Sequence, residues 1–262
     1  MTMKINSLTG AIGADISGLD LSDVDDDAGA VLRAALDEHL VIRVRKQSLD
    51  RFQLSDLART FGPPFLHPLV QNGFDDCPDV LELVREASDA TLFGGESWHT
   101  DISWLKPAGY ASILHALEIP PVGGDTSFAS TIAAFAALSS SFQDMLRDLS
   151  AVHAYHWSEN REVPPWVVEQ PVVRRHPVTQ QEGLYVNRMF TTRFTGMTTS
   201  ESAPLLAQLF DLMEQHQFTC RFRWQVGDVL IWDNRFCLHY PISDFTGHRR
   251  RMIRTSTMET VE

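Results

Sequence analysis

The sequence predicts a mainly β protein with peripheral helices, built on a double-stranded β-helix (jelly-roll) core, and three observations carry that reading. From Val80 onward, short apolar or alternating runs of strand length dominate. Helical patterns interrupt them only at about 131–149 and 200–216, so the strict βαβ alternation of a doubly wound fold is missing. No fixed-period repeat, low-complexity tract or Gly/Ser linker divides the 262 residues. Many short strands with a helical cover suit a double-sheet jelly roll, and residues 1–262 are read as a single domain.

Taken in order, the acidic segment Asp23–Asp27 precedes Val31, Ala34, Ala35 and Leu36, a helical spacing with carboxylates at its favourable end. Leu40–Val44 reads as a buried strand. Ser48 to Phe61, with Leu49, Phe52, Leu57 and Phe61, reads as an amphipathic helix stopped by Gly62-Pro63-Pro64. The strand-like runs that follow are Val80–Val84, Tyr110–Leu117, Ala151–His156, Leu184–Asn187, Thr219–Gln225, Val229–Trp232 and Met252–Thr257. Gly94-Gly95 and Gly123-Gly124 are turn signals without the spacing of a phosphate loop. The stretches Pro68–Asp79 and Ser158–Gln170 read as loops, and a lid is expected from about 68–97 and 158–170.

Composition narrows the function classes. With 44% hydrophobic and 21% charged residues the chain can bury a core. Thirty-four acidic against 22 basic residues leave a net charge of -12, which disfavours a nucleic-acid partner. No apolar run approaches a membrane span and the N-terminus lacks the apolar stretch of a secretory signal, so the expectation is a cytoplasmic protein without a membrane partner. Cys77, Cys220 and Cys237 are odd in number and lack metal-like spacing, and they are read as buried apolar residues. Self-association into a homo-oligomer stays open.

Most of the ten histidines, including His39, His115, His153, His156, His176 and His216, sit in patterned segments as ordinary packing or surface residues. Trp98-His99-Thr100-Asp101 differs, because residues i and i+2 of an extended segment point to one side and can offer an imidazole and a carboxylate to one ion. An isolated H-x-D is common. A distant third candidate, His239, would complete two histidines and one carboxylate, the set that leaves three positions open in non-haem Fe(II) oxygenases. Downstream, strand alternation would turn Arg250 and Arg254 to one face, away from Arg249 and Arg251. An inward guanidinium beside a metal calls for an anion, and a carboxylate matches it bidentately.

The motifs WHTDISW at 98–104, GGDTSF at 123–128, GLYVN at 183–187 with FTTRF at 190–194, GDVLIWDNR at 227–235 followed by His239-Tyr240, and RRRMIRTS at 249–256 resemble the TauD/TfdA family of iron(II)/2-oxoglutarate-dependent dioxygenases. The resemblance covers nearly the whole chain, including the N-terminal IGADISGLDLS. It implies Fe(2+) held by His99, Asp101 and His239, with 2-oxoglutarate and dioxygen as co-substrates. It further implies that Arg250, helped by Thr126, binds the distal carboxylate of 2-oxoglutarate. Arg254 would face a substrate anion while His67 and Phe190 line the substrate pocket, with Trp98, Trp104, Asp233, Asn234 and Arg235 as supporting scaffold.

The implied reaction hydroxylates a small organic anion (carboxylate, sulfonate or sulfate ester) while 2-oxoglutarate is decarboxylated to succinate. Where the hydroxylated carbon bears a sulfonate, ether or sulfate oxygen, the product can collapse and release it. The polar pocket of the taurine-acting member is not reproduced: its Tyr and Asn positions hold Val70 and Gly95 here, leaving apolar surface that Trp157 could help to cover. The stretch before Pro171 is also short for the family. Two alternatives remain: a metal-dependent hydrolase, which needs no Arg250–Thr126 clamp, and a catalytically idle small-molecule-binding member of the fold.

Overall fold

The computed structural model describes residues 3–67, 73–89, 97–156 and 165–260. Its elements begin with β1 (Lys4–Ser7), β2 (Ala14–Ser17), α1 (Asp26–His39), β3 (Val41–Val44), α2 (Arg51–Arg59), β4 (Gly73–Phe74) and β5 (Cys77–Arg85). The middle of the chain forms β6 (Gly109–Glu118), β7 (Thr126–Ser130), α3 (Thr131–Ala136), α4 (Ser140–Arg147), β8 (Ser150–Tyr155), β9 (Trp166–Pro171), β10 (Val173–Arg175) and β11 (Glu182–Leu184). It ends with β12 (Thr191–Phe194), α5 (Thr199–Met213), a short 3-10 turn, β13 (Thr219–Phe222), β14 (Val229–Asp233), β15 (Cys237–Pro241) and β16 (Arg250–Met258).

Eight strands form one sheet in the order β1-β2-β3-β14-β6-β16-β5-β4, and a second sheet runs β13-β7-β15. Side-chain parity on the central strands separates the two faces of the large sheet. Ile113, Ile231 and Ile253 pack beneath α1 and α2, against Leu32, Leu36, Leu54 and Leu57. Their neighbours Leu114, Leu230, Trp232 and Met252 face inward and meet Phe128, Phe222 and Cys237 of the small sheet. The result is the jelly-roll arrangement, two sheets around a shared interior. Strands buried on both faces read as unbroken apolar runs, which is why Val229–Trp232 is so easily seen in the sequence. The same parity carries Ser112, Arg250 and Arg254 into the interior, whereas Arg249 and Arg251 turn outward to Glu86, Glu118 and Glu82.

Local chemistry fixes the helix starts. Asp25 caps α1 by accepting the Ala28 N–H, with Asp26 and Asp27 in the first turn. Asp50 and Gln53 form a capping box on α2. The helical pattern expected over 131–149 is two helices, because Ser139 adopts an extended conformation at the start of α4. A third cluster, with Phe135, Leu146, Leu206, Leu209 and Met213, packs α3 to α5 against Ala129 and Leu238 of the small sheet.

Three expectations need correction. The run Leu184–Asn187 is strand only at Glu182–Leu184; beyond it, Asn187 Oδ1 accepts the Met189 and Phe190 N–H groups and bends the chain. Of the stretch 158–170 expected as loop, the part 166–170 is strand β9, paired antiparallel with β8. Cys77–Asp79, also expected as loop, begins β5. Gly73–Phe74, within the same expected loop, is strand β4, and residues 68–72 and 158–164, with Val70, Gly95 and Trp157, lie outside the described residues. Among the described residues no helix is long and apolar enough to cross a membrane, and all three cysteines are free and buried.

Candidate active site

His99 and His239 are held opposite each other by an isolated antiparallel bridge, with paired backbone hydrogen bonds of 3.0 and 2.7 Å. Their ring centroids are 4.0 Å apart, and each Nε2 lies 3.8 Å from Asp101 Oδ1. The three donor atoms all fall within 4.8 Å of one another. Asp101 is not in an extended segment as the H-x-D reading supposed. It opens a turn in which β-branched Ile102 takes a left-handed φ of 57°. Such a conformation costs of order 1–3 kcal/mol and persists only where surrounding contacts determine it.

The donor chemistry suits a divalent metal. His99 Nδ1 sits 2.8 Å from the Ser97 carbonyl, an oxygen that can only accept, so Nδ1 carries the proton and Nε2 presents its lone pair. His239 is oriented by packing against Phe128 and Trp232. Burial pulls both imidazoles below their ordinary pKa, His239 strongly, so they are neutral. Burial would by itself raise the Asp101 carboxyl, but the Arg254 guanidinium beside it outweighs burial and holds the group well below the usual carboxylate range. Arg254 Nη2 lies 2.5 Å from Asp101 Oδ2. Two neutral imidazoles and one carboxylate, oriented before any cation arrives, are a fit for iron(II).

A second cluster has a similar composition and a different chemistry. Asp37, His176 and Asp233 also bring their donor atoms within 4.8 Å. Here His176 Nδ1 accepts the N–H groups of Val178 and Thr179, each at 3.2 Å, which puts the imidazole proton on Nε2. That Nε2 faces Asp37 Oδ1 at 3.5 Å and Asp233 Oδ2 at 3.7 Å. The Arg235 guanidinium already occupies Asp233 with bonds of 2.9 and 2.7 Å. No nitrogen lone pair faces the carboxylates, and a cation is already there. The cluster ties α1 to the end of β14 without offering a metal seat.

Two cavities meet at the first cluster. One, of about 270 Å³, is lined by His67, Phe190, His99, Asp101, Leu83 and Arg254, with Phe65, Leu81, Trp104, Tyr155 and Met189 among the other walls. The other, of about 210 Å³, is lined by Thr126, Arg250, His239, His99, Leu83 and Arg254. His99, Leu83 and Arg254 belong to both. Arg250 is pulled down to about 10 by burial and so keeps its charge at neutral pH. Its guanidinium lies over Phe245 at 5.8 Å. Thr126 Oγ1 accepts the Trp224 indole N–H at 3.0 Å, which leaves the hydroxyl proton to aim elsewhere. The preceding turn needs Gly123, at φ 83°, because a Cβ there would lie 2.6 Å from the Asp244 carbonyl.

All eight residues singled out in the sequence therefore reach these two cavities. His67 packs edge-on to Phe65 and Trp104, and burial followed by Arg254 lowers its pKa. Phe190 packs edge-on to His99 and Tyr155. Sequence reasoning missed the aromatic wall in which Trp104 stacks on Tyr155 at 4.6 Å and on Trp166 at 4.8 Å. It also missed Asp79, a buried carboxylate on the first cavity that accepts the Ser55 hydroxyl at 2.6 Å. Neither signal was available, because these residues come from separate segments of the chain, a turn, a helix and three strands.

The chain is similar over almost its whole length to known proteins. An alkylsulfatase of Acinetobacter baylyi is 32% identical over 275 residues, covering 98% of this chain and 84% of that protein. An alpha-ketoglutarate-dependent sulfate ester dioxygenase of Pseudomonas putida is 31% identical, covering 98% of this chain and 90% of its own. The crystal structure of a taurine dioxygenase from Burkholderia xenovorans superposes with a TM-score of 0.87 at 34% identity, over 100% of this chain and 91% of that one. Residues 4–256 match the family model described as taurine catabolism dioxygenase TauD, TfdA family, and the chain belongs to that family.

Proposed function

We propose that this dioxygenase hydroxylates a small organic anion with an apolar body, a sulfate ester, sulfonate or carboxylate, at a centre formed by His99, Asp101 and His239. In this reading those three residues hold iron(II). Arg250 and Thr126 bind the distal carboxylate of 2-oxoglutarate in one cavity, and Arg254, His67 and Phe190 receive the substrate in the other. The observation that carries the reading is the pair of cavities joined at His99 and Arg254, one ending on a buried guanidinium and the other walled by aromatic and aliphatic side chains. The names of two relatives, an alkylsulfatase and a sulfate ester dioxygenase, point to the same kind of anion.

Bound iron(II) supplies the redox chemistry, in which dioxygen gives one oxygen atom to succinate as 2-oxoglutarate loses carbon dioxide and the other to a substrate C–H. The protein's part is placement and exclusion of water. Arg250 offers a charged donor where little water reaches, so a dicarboxylate is favoured over a monocarboxylate. Arg254 already spends one N–H on Asp101, and its remaining donors can meet the substrate head. Leu81, Leu83, Phe190 and Tyr155 then enclose the substrate body. Each buried methylene adds about 0.8 kcal/mol, so the preference for longer chains should be graded. The lid expected from about 68–97 and 158–170 falls in part on residues outside those described. Three free cysteines suit a reducing, cytoplasmic location.

Substrate-stimulated succinate release tests the proposal, measured with taurine, a medium-chain alkyl sulfate, an alkylsulfonate and an aryloxyacetate. The expected result is a preference for the apolar-bodied anions over taurine, lost in Arg254→Gln. Taurine as the best substrate, or full activity of Arg254→Gln on the anions, overturns it. A hydrolase would release product without succinate, and an idle binding protein would release neither.

A further inference from the structure

Asp101 must present one oxygen to the two imidazoles while its other oxygen is kept away, and the surrounding hydrogen bonds show how. Asn234, in the turn after β14, is 1% exposed. Its side-chain Oδ1 faces the Asp101 backbone N–H at 3.0 Å and the Trp232 indole N–H at 3.0 Å. Both can only donate, so the amide orientation is settled and Nδ2 must point at Ser112 Oγ, 2.9 Å away. Ser112, on β6 and fully buried, accepts that bond and sends its own proton to Asp101 Oδ2 at 2.9 Å, because an ionised carboxylate only accepts. Ser256 Oγ, 2.9 Å from Ser112 Oγ, must then be the donor of that pair. The chain of donors runs one way, from Asn234 to Ser112 to Asp101.

We infer that Ser112 and Asn234 are positioning residues for Asp101, which together hold its backbone and its Oδ2 and so leave Oδ1 alone for the metal. Asn234 grips the ligand twice, directly at the amide and through Ser112 at the carboxylate. The grip explains how the left-handed Ile102 that follows Asp101 is sustained. Arg254 assists at the same oxygen, but it also lines both cavities and is exposed to whatever fills them. Ser112 and Asn234 line neither cavity, so they act on the site indirectly; Asp101 is the ligand they both hold, and Arg254 Nη2, 3.4 Å from Ser112 Oγ, is steadied at the same point.

The inference rests on the metal reading above, and the experiment separates the two. Co(II) is titrated into wild type, Ser112→Ala and Asn234→Ala without oxygen, reading the dissociation constant and the visible spectrum well below each protein's melting temperature. Outer hydrogen-bond partners of ligands typically matter by 10–100-fold. The expected result is Co(II) binding weakened about tenfold or more in Ser112→Ala, with a changed spectrum and an unchanged far-UV signal. Asn234→Ala should weaken it further where it folds, and the two changes together should cost less than the product of the single effects, since they act in series. Ser112→Ala removes one oxygen from a small side chain and keeps the test decisive if Asn234→Ala fails to fold. Wild-type affinity and spectrum in Ser112→Ala overturn this inference alone, whereas a wild type that binds no Co(II) overturns the metal reading and this inference with it.

Discussion

Among the described residues histidine and aspartate converge twice, around Asp101 and around Asp233, and in both places three donor atoms lie within 4.8 Å. The difference between them lies in what holds the histidine. His99 gives its Nδ1 proton to a carbonyl, which frees Nε2 to bind; His176 takes two N–H groups on Nδ1, which fills Nε2 with a proton. The second difference is the cation already present. Arg235 lies flat against Asp233 through both its Nε and Nη2, while Arg254 reaches Asp101 at Oδ2 and leaves Oδ1 to the imidazoles. Proximity of ligand-type residues is thus a poor guide to a metal seat, and the polarity of the outer hydrogen bonds decides it.

The largest effect that would sharpen this contrast is expected from His239→Ala or Asp101→Ala. Either should lower turnover by about 10³-fold or more, since metal catalysis supplies several kcal/mol, and the loss is read as succinate formed per enzyme. Next, Arg250→Ala should raise the Michaelis constant for 2-oxoglutarate about ten- to hundredfold, as a charge-assisted pair worth roughly 1.5–3 kcal/mol is removed. An unchanged constant would show that the second cavity is not the co-substrate's. The opposite pattern is expected at the other cluster. His176→Asn should lower unfolding stability by about 1–3 kcal/mol in a denaturant titration while leaving metal affinity and turnover as they were. A loss of metal binding there would break the comparison.

The smallest effect concerns His153, another buried histidine, whose partners are the hydroxyls of Ser103 and Thr191. Burial lowers its pKa to about 3. A folded-state value below the unfolded one means that the unfolded chain binds the proton first. The stability it confers is complete above about pH 6.5 and is lost as pH falls toward 3, by about 1.4 kcal/mol per unit at most. His153→Gln should therefore flatten the stability curve between pH 6.5 and 5.5 by about 1 kcal/mol. An unchanged slope would place the proton uptake elsewhere.

The central strands of the large sheet were legible because Ile113–Leu114, Val229–Trp232 and Met252–Ile253 are apolar on both faces. Strands β7 and β15 were not expected, and the reason is functional. Thr126 and His239 occupy inward positions where an apolar residue would have marked a strand. Strand β1 escaped notice because it is exposed along its whole length, paired to β2 by backbone alone. The parity of Arg250 and Arg254 against Arg249 and Arg251 could be read directly, because a period of two survives in any strand. What the sequence could not show was the Asp101–Arg254 contact, the pairing of cavities, or the role of Ser112, whose meaning comes from residues 122 and 144 positions away.

On this reading the cluster around Asp101 takes a metal and the cluster around Asp233 does not. Anomalous diffraction from anaerobic crystals grown with Mn(II) and 2-oxoglutarate tests it most directly. A strong anomalous peak is expected bounded by His99 Nε2, Asp101 Oδ1 and His239 Nε2, with the dicarboxylate reaching Arg250, and no peak among Asp37, His176 and Asp233. A peak at the second cluster, or none at the first, would contradict it.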